Sequence, residues 1–186
     1  MNSKYKYIIP LILFFNQSAR GAENLYLYKG TFSRSIKIEE LSEFKLTKKP
    51  SNKLKNLIKI TGQNEKNLHN ILSIKIKFPI KTSSRLMNSQ IGEVFLGRLS
   101  TIIYPNKISD LKLSSKAIRS GLLLSSFNNN QKIDLIDFLK AYPNKNIALD
   151  LNTLTKTLKK VDSLKELIEF YSASPFKKLK DGRSST

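Results

Sequence analysis

The chain has 186 residues, with 33 Lys and Arg against 14 Asp and Glu, a formal charge of +19 and neither Cys nor Trp. The absence of Cys excludes disulfides, thiolate zinc centres, thiol catalysis and anchoring through a lipidated Cys, so the fold rests on its core alone. The charge would attract anionic partners. Its cations, however, are 27 Lys to 6 Arg spread along the whole chain, beside 20 Ile and 16 Asn. That reads as AT-rich composition on a solvated surface, not as the Arg forks and stacked aromatics of a nucleic-acid binder, and no nucleic-acid role is expected.

Residues 1–22 carry the pattern of a secretory signal peptide. Lys4 and Lys6 precede an apolar run from Tyr7 to Phe15, and Ala19-Arg20-Gly21-Ala22 supplies small residues at an exit. The run is too short to span a bilayer, which takes about 20 residues. The alternative is an N-terminal strand or a retained anchor. Cleavage after Gly21 or Ala22 removes Lys4, Lys6 and Arg20, so +19 becomes +16. The mature chain would then carry no transmembrane span and reach the periplasm, the thylakoid lumen or the medium.

Asn24 to Ile38 alternates as a β-hairpin about Lys29-Gly30-Thr31, with Leu25 and Leu27 on one face and Tyr26 and Tyr28 on the other. Asn146 to Leu151 alternates again and is the expected third strand. Between them the pattern is helical. A short helix begins at Glu39; Ser51 caps a helix to Thr61 that Gly62 ends, and Asn64 caps the next. Ile74 to Ile80 alternates, but Pro79 restricts it to an edge strand or an extended connector, and the connector is favoured. Ser83 to Tyr104 reads as two helices meeting at Asn88-Ser89. The second would bury Ile91, Val94, Phe95, Leu99, Ile102 and Ile103, with Gly92 and Gly97 permitting close approach. Ser114 to Phe127 is a further helix, Asp134 caps a short one that Pro143 stops, and Asn152 caps a long amphipathic one reaching Tyr171. The expected fold is α+β, mostly α: a small antiparallel sheet of hairpin plus late strand, packed with about six or seven short helices. One domain occupies 23–171 and a disordered polar tail 172–186.

The ordered stretches Ala22-Glu23-Asn24-Leu25-Tyr26-Leu27-Tyr28-Lys29-Gly30, Phe32 to Leu41, Ser84 to Leu99, Ile133 to Pro143 and Ile147 to Leu151 resemble a known family. It is the cyanobacterial domain of unknown function that precedes the α/β-hydrolase domain in exported proteins. The resemblance implies an accessory or binding module whose partner is a separate exported α/β-hydrolase or an envelope component. The alternatives are hydrolase activity by family association and a basic adaptor for anionic envelope surfaces.

No catalytic, cofactor-binding or metal site is expected. An α/β-hydrolase needs a Gly-x-Ser-x-Gly elbow with a His to accept the serine proton, and the sequence contains no such pentapeptide. The single His, His69, falls on a helix, where a lone His is expected at the surface or half-buried and not in catalysis, and its loss nearly silent. Gly92 to Gly97 has the glycine spacing of a phosphate loop without its Lys or hydroxyl residue, so close helix packing is the better reading. Glu39, Glu40, Asp134 and Asp137 fall at first helical turns, where the dipole favours them. Asp137 and Asp150 could meet for acid–base work, though nothing requires it. The candidate interaction surface is the Tyr26 and Tyr28 row, apolar in body and polar at the tip.

Overall fold

A computed structural model describes residues 21–62, 64–108 and 110–160, with the side chains of 158–160 excepted. The residues expected to form the signal segment (through residue 20), the distal half of the last amphipathic helix and the polar tail lie outside the described residues. The hairpin forms as expected: β1 (Asn24–Lys29) pairs antiparallel with β2 (Phe32–Lys37). The two-residue turn depends on Gly30 at φ +61°, a conformation glycine adopts without steric cost.

Eight helices follow among the described residues, and most start where a short polar side chain accepts from the N–H three residues on. After α1 (Ile38–Thr47), α2 (Asn52–Thr61) is capped by Ser51, whose Oγ accepts from Leu54 N at 3.1 Å, and ends on Gly62 at φ 70°. Asn64 caps α3 (Glu65–Ser73), accepting from Asn67 N at 2.7 Å. α4 (Ile80–Met87) and α5 (Gln90–Ser100) meet at Asn88-Ser89, and Ser89 Oγ accepts from Gly92 N at 3.2 Å. α6 (Leu111–Asn128) starts three residues before the expected Ser114, because Asp110 caps it. α7 (Leu135–Ala141) begins at Asp134. α8 (Leu151–Lys160) is capped by Asp150, not by Asn152: Asp150 Oδ1 accepts from Thr153 N at 2.8 Å.

The fold class is α+β, mostly α. The sheet is larger than expected and mixed. β6 (Asn146–Asp150) lies parallel to β1, and β4 (Ile103–Pro105) closes the order β2-β1-β6-β4 by pairing antiparallel with β6. Ile103 to Pro105, read from sequence as helix end and loop, becomes a strand through its partner. Pro105 fits there because β4 is an edge. The connector near Ile74 also contains a two-residue strand, β3 (Ile76–Lys77), antiparallel to β5 (Lys132–Ile133). Pro79 then serves as the N-terminal boundary of α4.

One sheet face carries Leu25, Ile36 and Ile147, all buried, and enters the core with Phe44, Leu54, Leu72, Leu96, Ile118 and Leu139. Helices α1 and α2 contact β2, α5 and α6 contact β4, and α8 contacts β1 and β6. No described helix is long and apolar enough to cross a membrane.

His69 has more partners than a nearly silent substitution would imply. It is half-buried on α3; its Nε2–H donates to the Lys45 carbonyl at 3.1 Å, and its ring meets Phe44 edge-on at 6.0 Å between centroids. The ring thus ties α3 to the end of α1. His69→Ala is expected to lose about 1–2 kcal/mol, a hydrogen bond plus an aromatic pair, in urea unfolding. A change inside about 0.5 kcal/mol, as at an open surface, would return His69 to the solvent.

Candidate functional site

The strand alternation that sends Leu25 and Ile36 inward sends a polar and aromatic row to the opposite face. Across the sheet, Ser35, Tyr26, Ala148 and Tyr104 stand in one register row, and Ser33, Tyr28 and Asp150 in the next. Tyr26, Tyr28 and Tyr104 are half-buried, and Ala148 between two of them is fully buried. At one end Asn24 Nδ2 donates to Asn146 Oδ1 at 3.0 Å; at the other Tyr28 Oη donates to Asn106 Oδ1 at 2.7 Å. The Tyr104 phenol is held above its ordinary pKa, first by burial and then by the negative charge of Asp150 and the neighbouring Tyr28. It is therefore a neutral hydroxyl at physiological pH. The face offers aromatic bodies, hydroxyl donors and one carboxylate whose Oδ1 already caps α8.

Tyr26 and Tyr28, the two residues singled out from sequence, are thus neighbours in a larger patch. Tyr104 and Asn106 were missed, and Asp150 was considered only beside Asp137, which it does not join. The period-2 alternation of β1 is visible locally, whereas Tyr104 and Asp150 reach the patch only through pairing with distant strands.

The described carboxylates of Asp134, Asp137 and Asp150 hold helix starts. Asp137 and Asp150 each cap a different helix. Asp134 is buried; its Oδ1 accepts from Ile136 N at 2.9 Å and Asp137 N at 3.1 Å, and Asp137 Oδ2 accepts from Asp134 N at 3.1 Å. Lys45 of α1 donates to Asp134 Oδ2 and pairs with it. Burial pushes the Asp134 carboxyl up, but the Lys45 ammonium and the two N–H donors together hold it below the ordinary carboxylate range. A carboxyl depressed in the folded state stabilises it above the unfolded pKa of about 3.9, and that stabilisation is lost as pH falls through the lower folded value. Acid unfolding is therefore expected to include a step below about pH 4 that Asp134→Asn removes. An acid limb unchanged in Asp134→Asn would show that the pair does not carry it.

Among the described residues no group of three or more His, Cys, Asp or Glu could hold a metal ion. Four described strands run directly or within two residues into helices, with Lys37, Pro79, Asp134 and Asp150 at the junctions. None of these is the Ser of a hydrolase elbow. Gly92 packs against the backbone of Leu86 and Met87, which is the close-packing role and not a phosphate loop.

A family model described as "Alpha/beta hydrolase of unknown function (DUF1400)" matches residues 21–150, from just before β1 to the end of β6. Neither the curated proteins nor the solved structures contain a match.

Proposed function

The chain belongs to this family of alpha/beta hydrolases of unknown function, and from that membership we propose that it is a non-catalytic accessory domain, exported by its N-terminal segment, that docks a partner through the tyrosine face. The observation that carries the reading is the row of Tyr26, Tyr28 and Tyr104, three half-buried rings in one sheet face beside Asp150. Aromatic side chains with a polar tip supply large contact area at small entropic cost and are enriched at interfaces. The family label names a hydrolase, but the chain has no Gly-x-Ser-x-Gly. Its one His is engaged with Lys45 and Phe44. A separately folded exported hydrolase or an envelope component is the partner this face suits.

Export is supported by the basic start and short apolar run of the first residues. Ala22 belongs to the buried core, and Glu23 N and Asn24 N both donate to the Lys145 carbonyl, at 2.8 and 3.1 Å. Cleavage after Gly21 leaves all of these in place, which favours that site over cleavage after Ala22.

The test is capture from the periplasmic fraction by the chain beginning at Ala22. Recovery of a hydrolase or envelope component is expected, with at least about tenfold less by the Tyr26→Ser, Tyr28→Ser double variant at unchanged helical circular dichroism. Tyr28→Phe, which removes only the bond to Asn106, should keep most of the capture. Ester turnover by the purified chain, blocked by a serine-reactive phosphonate, would overturn the non-catalytic reading. Undiminished capture by a folded double variant would overturn the tyrosine face.

A further inference from the structure

The far end of the hairpin extends the core face of the sheet beyond the core. In register, Leu27 stands opposite Arg34 and Lys29 opposite Phe32, on the same side as the buried pair Leu25 and Ile36. With Leu57 and Ile60 of α2 and Leu151 of α8, they line a groove of about 320 Å³. Its walls are almost wholly apolar, and its two lips are open: Phe32 is 72% exposed and Ile60 46% exposed.

The only charged residues lining it are cations, Lys29 and Arg34. Lys29 Nζ donates to the Ile60 carbonyl at 3.1 Å, which fixes the ammonium where the end of α2 and the hairpin tip meet. Arg34 donates to its neighbour's Ser33 carbonyl at 3.0 Å. Among the described residues neither forms an ion pair with a carboxylate. Lys55 and Lys59 are exposed on the same helix.

We propose that this hairpin tip docks on an anionic bilayer, with Phe32 and Ile60 entering the acyl boundary and Lys29 and Arg34 lying against lipid phosphates. The arrangement is that of an interfacial anchor, in which apolar side chains project from the surface and long cationic ones flank them at headgroup depth. A bilayer suits the groove better than a single fatty acid, because Phe32 and Ile60 project as open lips and do not close over a ligand. The charge of the chain adds attraction toward the same phase, and the tip joins two cations to exposed apolar surface along one groove. This surface lies on the opposite side of the sheet from the tyrosine row, so the two readings stand or fall separately.

The test is co-sedimentation of the chain from Ala22 with phosphatidylcholine vesicles, with and without phosphatidylglycerol. Binding is expected only with the anionic lipid and should collapse at high salt. Phe32→Ser should weaken it at least about tenfold, the Lys29→Gln, Arg34→Gln double variant should weaken it and flatten the salt dependence, and Ile91→Ser, an exposed apolar change elsewhere, should leave it unchanged. The chain has no Trp, so Phe32→Trp places the sole Trp at the tip, and its emission, excited at wavelengths beyond tyrosine absorption, should shift to the blue on anionic vesicles. Sedimentation without that shift, or with Phe32→Ser binding as wild type, would show that net charge alone holds the chain and overturn the proposal. Saturable uptake of dodecanoate in place of vesicle binding would overturn it in favour of a fatty-acid site.

Discussion

Gly92→Ala is expected to destabilise the fold by about 3 kcal/mol or more, and Gly97→Ala, in the same helix, to stabilise it by about 0.5–1 kcal/mol. The two glycines look alike in sequence. At Gly92 a Cβ would lie 2.0 Å from the Leu86 carbonyl oxygen and 2.6 Å from Met87 Cα, so it meets backbone that cannot rotate away. Relief requires α4 and α5 to separate, opening the contact behind the Asn88-Ser89 corner. At Gly97 nothing lies within 4 Å of the added carbon, so only the helix-propensity gain remains. Urea unfolding followed by circular dichroism distinguishes them. Equal and mild effects at both sites would mean that α4 and α5 are not seated on each other as described.

The same contrast shows what the sequence could and could not disclose. Caps were legible because each is local: Ser51, Asn64, Ser89 and Asp134 accept from N–H groups two or three residues away. The hairpin was legible because alternation and Gly30 specify it within a few residues. β4 was not. Ile102 to Tyr104 continues an apolar helical pattern, and its strand conformation depends on the ladder to Ala148 and Leu149, far along the chain. The parallel pairing of β6 with β1 is equally non-local. Tyr26 and Tyr28 could therefore be picked out alone, while the patch they form with Tyr104 and Asp150 exists only in the assembled sheet. The partners of His69 were hidden for a related reason: a polar residue between Leu68 and Asn70 carries no local sign of them, and the packing of α3 on α1 supplies both.

Charge was the least decisive signal. Each of the three described ion pairs sits at a junction: Lys45–Asp134 joins α1 to α7, Lys140–Glu39 joins the same two helices, and Lys145–Glu23 joins the strand entries. These use three of the many Lys residues. The other Lys residues whose side chains are described are exposed and spread over the surface, and at the hairpin tip they accompany the exposed Phe32.

Leu96→Ala is expected to cost about 3–5 kcal/mol, a truncation that leaves a cavity in a packed core. Sequence hydropathy placed the buried stripe of α5 on Ile91, Val94, Phe95 and Leu99. The structure turns the helix by about one residue: Gly92, Leu96 and Ser100 face inward, Phe95 and Leu99 flank them half-buried, and Ile91 and Val94 are 71% and 55% exposed. The reason is packing geometry. Small residues at Gly92 and Ser100 let α5 approach its neighbours closely, and α6 does the same with Ser114, Ala117, Gly121 and Ser125. Close approach along a seam of small residues gains dispersion contacts for backbone and for the one large side chain in its middle. Phe95→Ala should therefore cost less than Leu96→Ala, although Phe is larger, and Val94→Ser should stay within about 0.5 kcal/mol. The ranking Leu96, then Phe95, then Val94 in urea unfolding is the expected result. A Val94→Ser loss as large as that of Leu96→Ala would restore the hydropathy stripe and require α5 to be rotated in its seat.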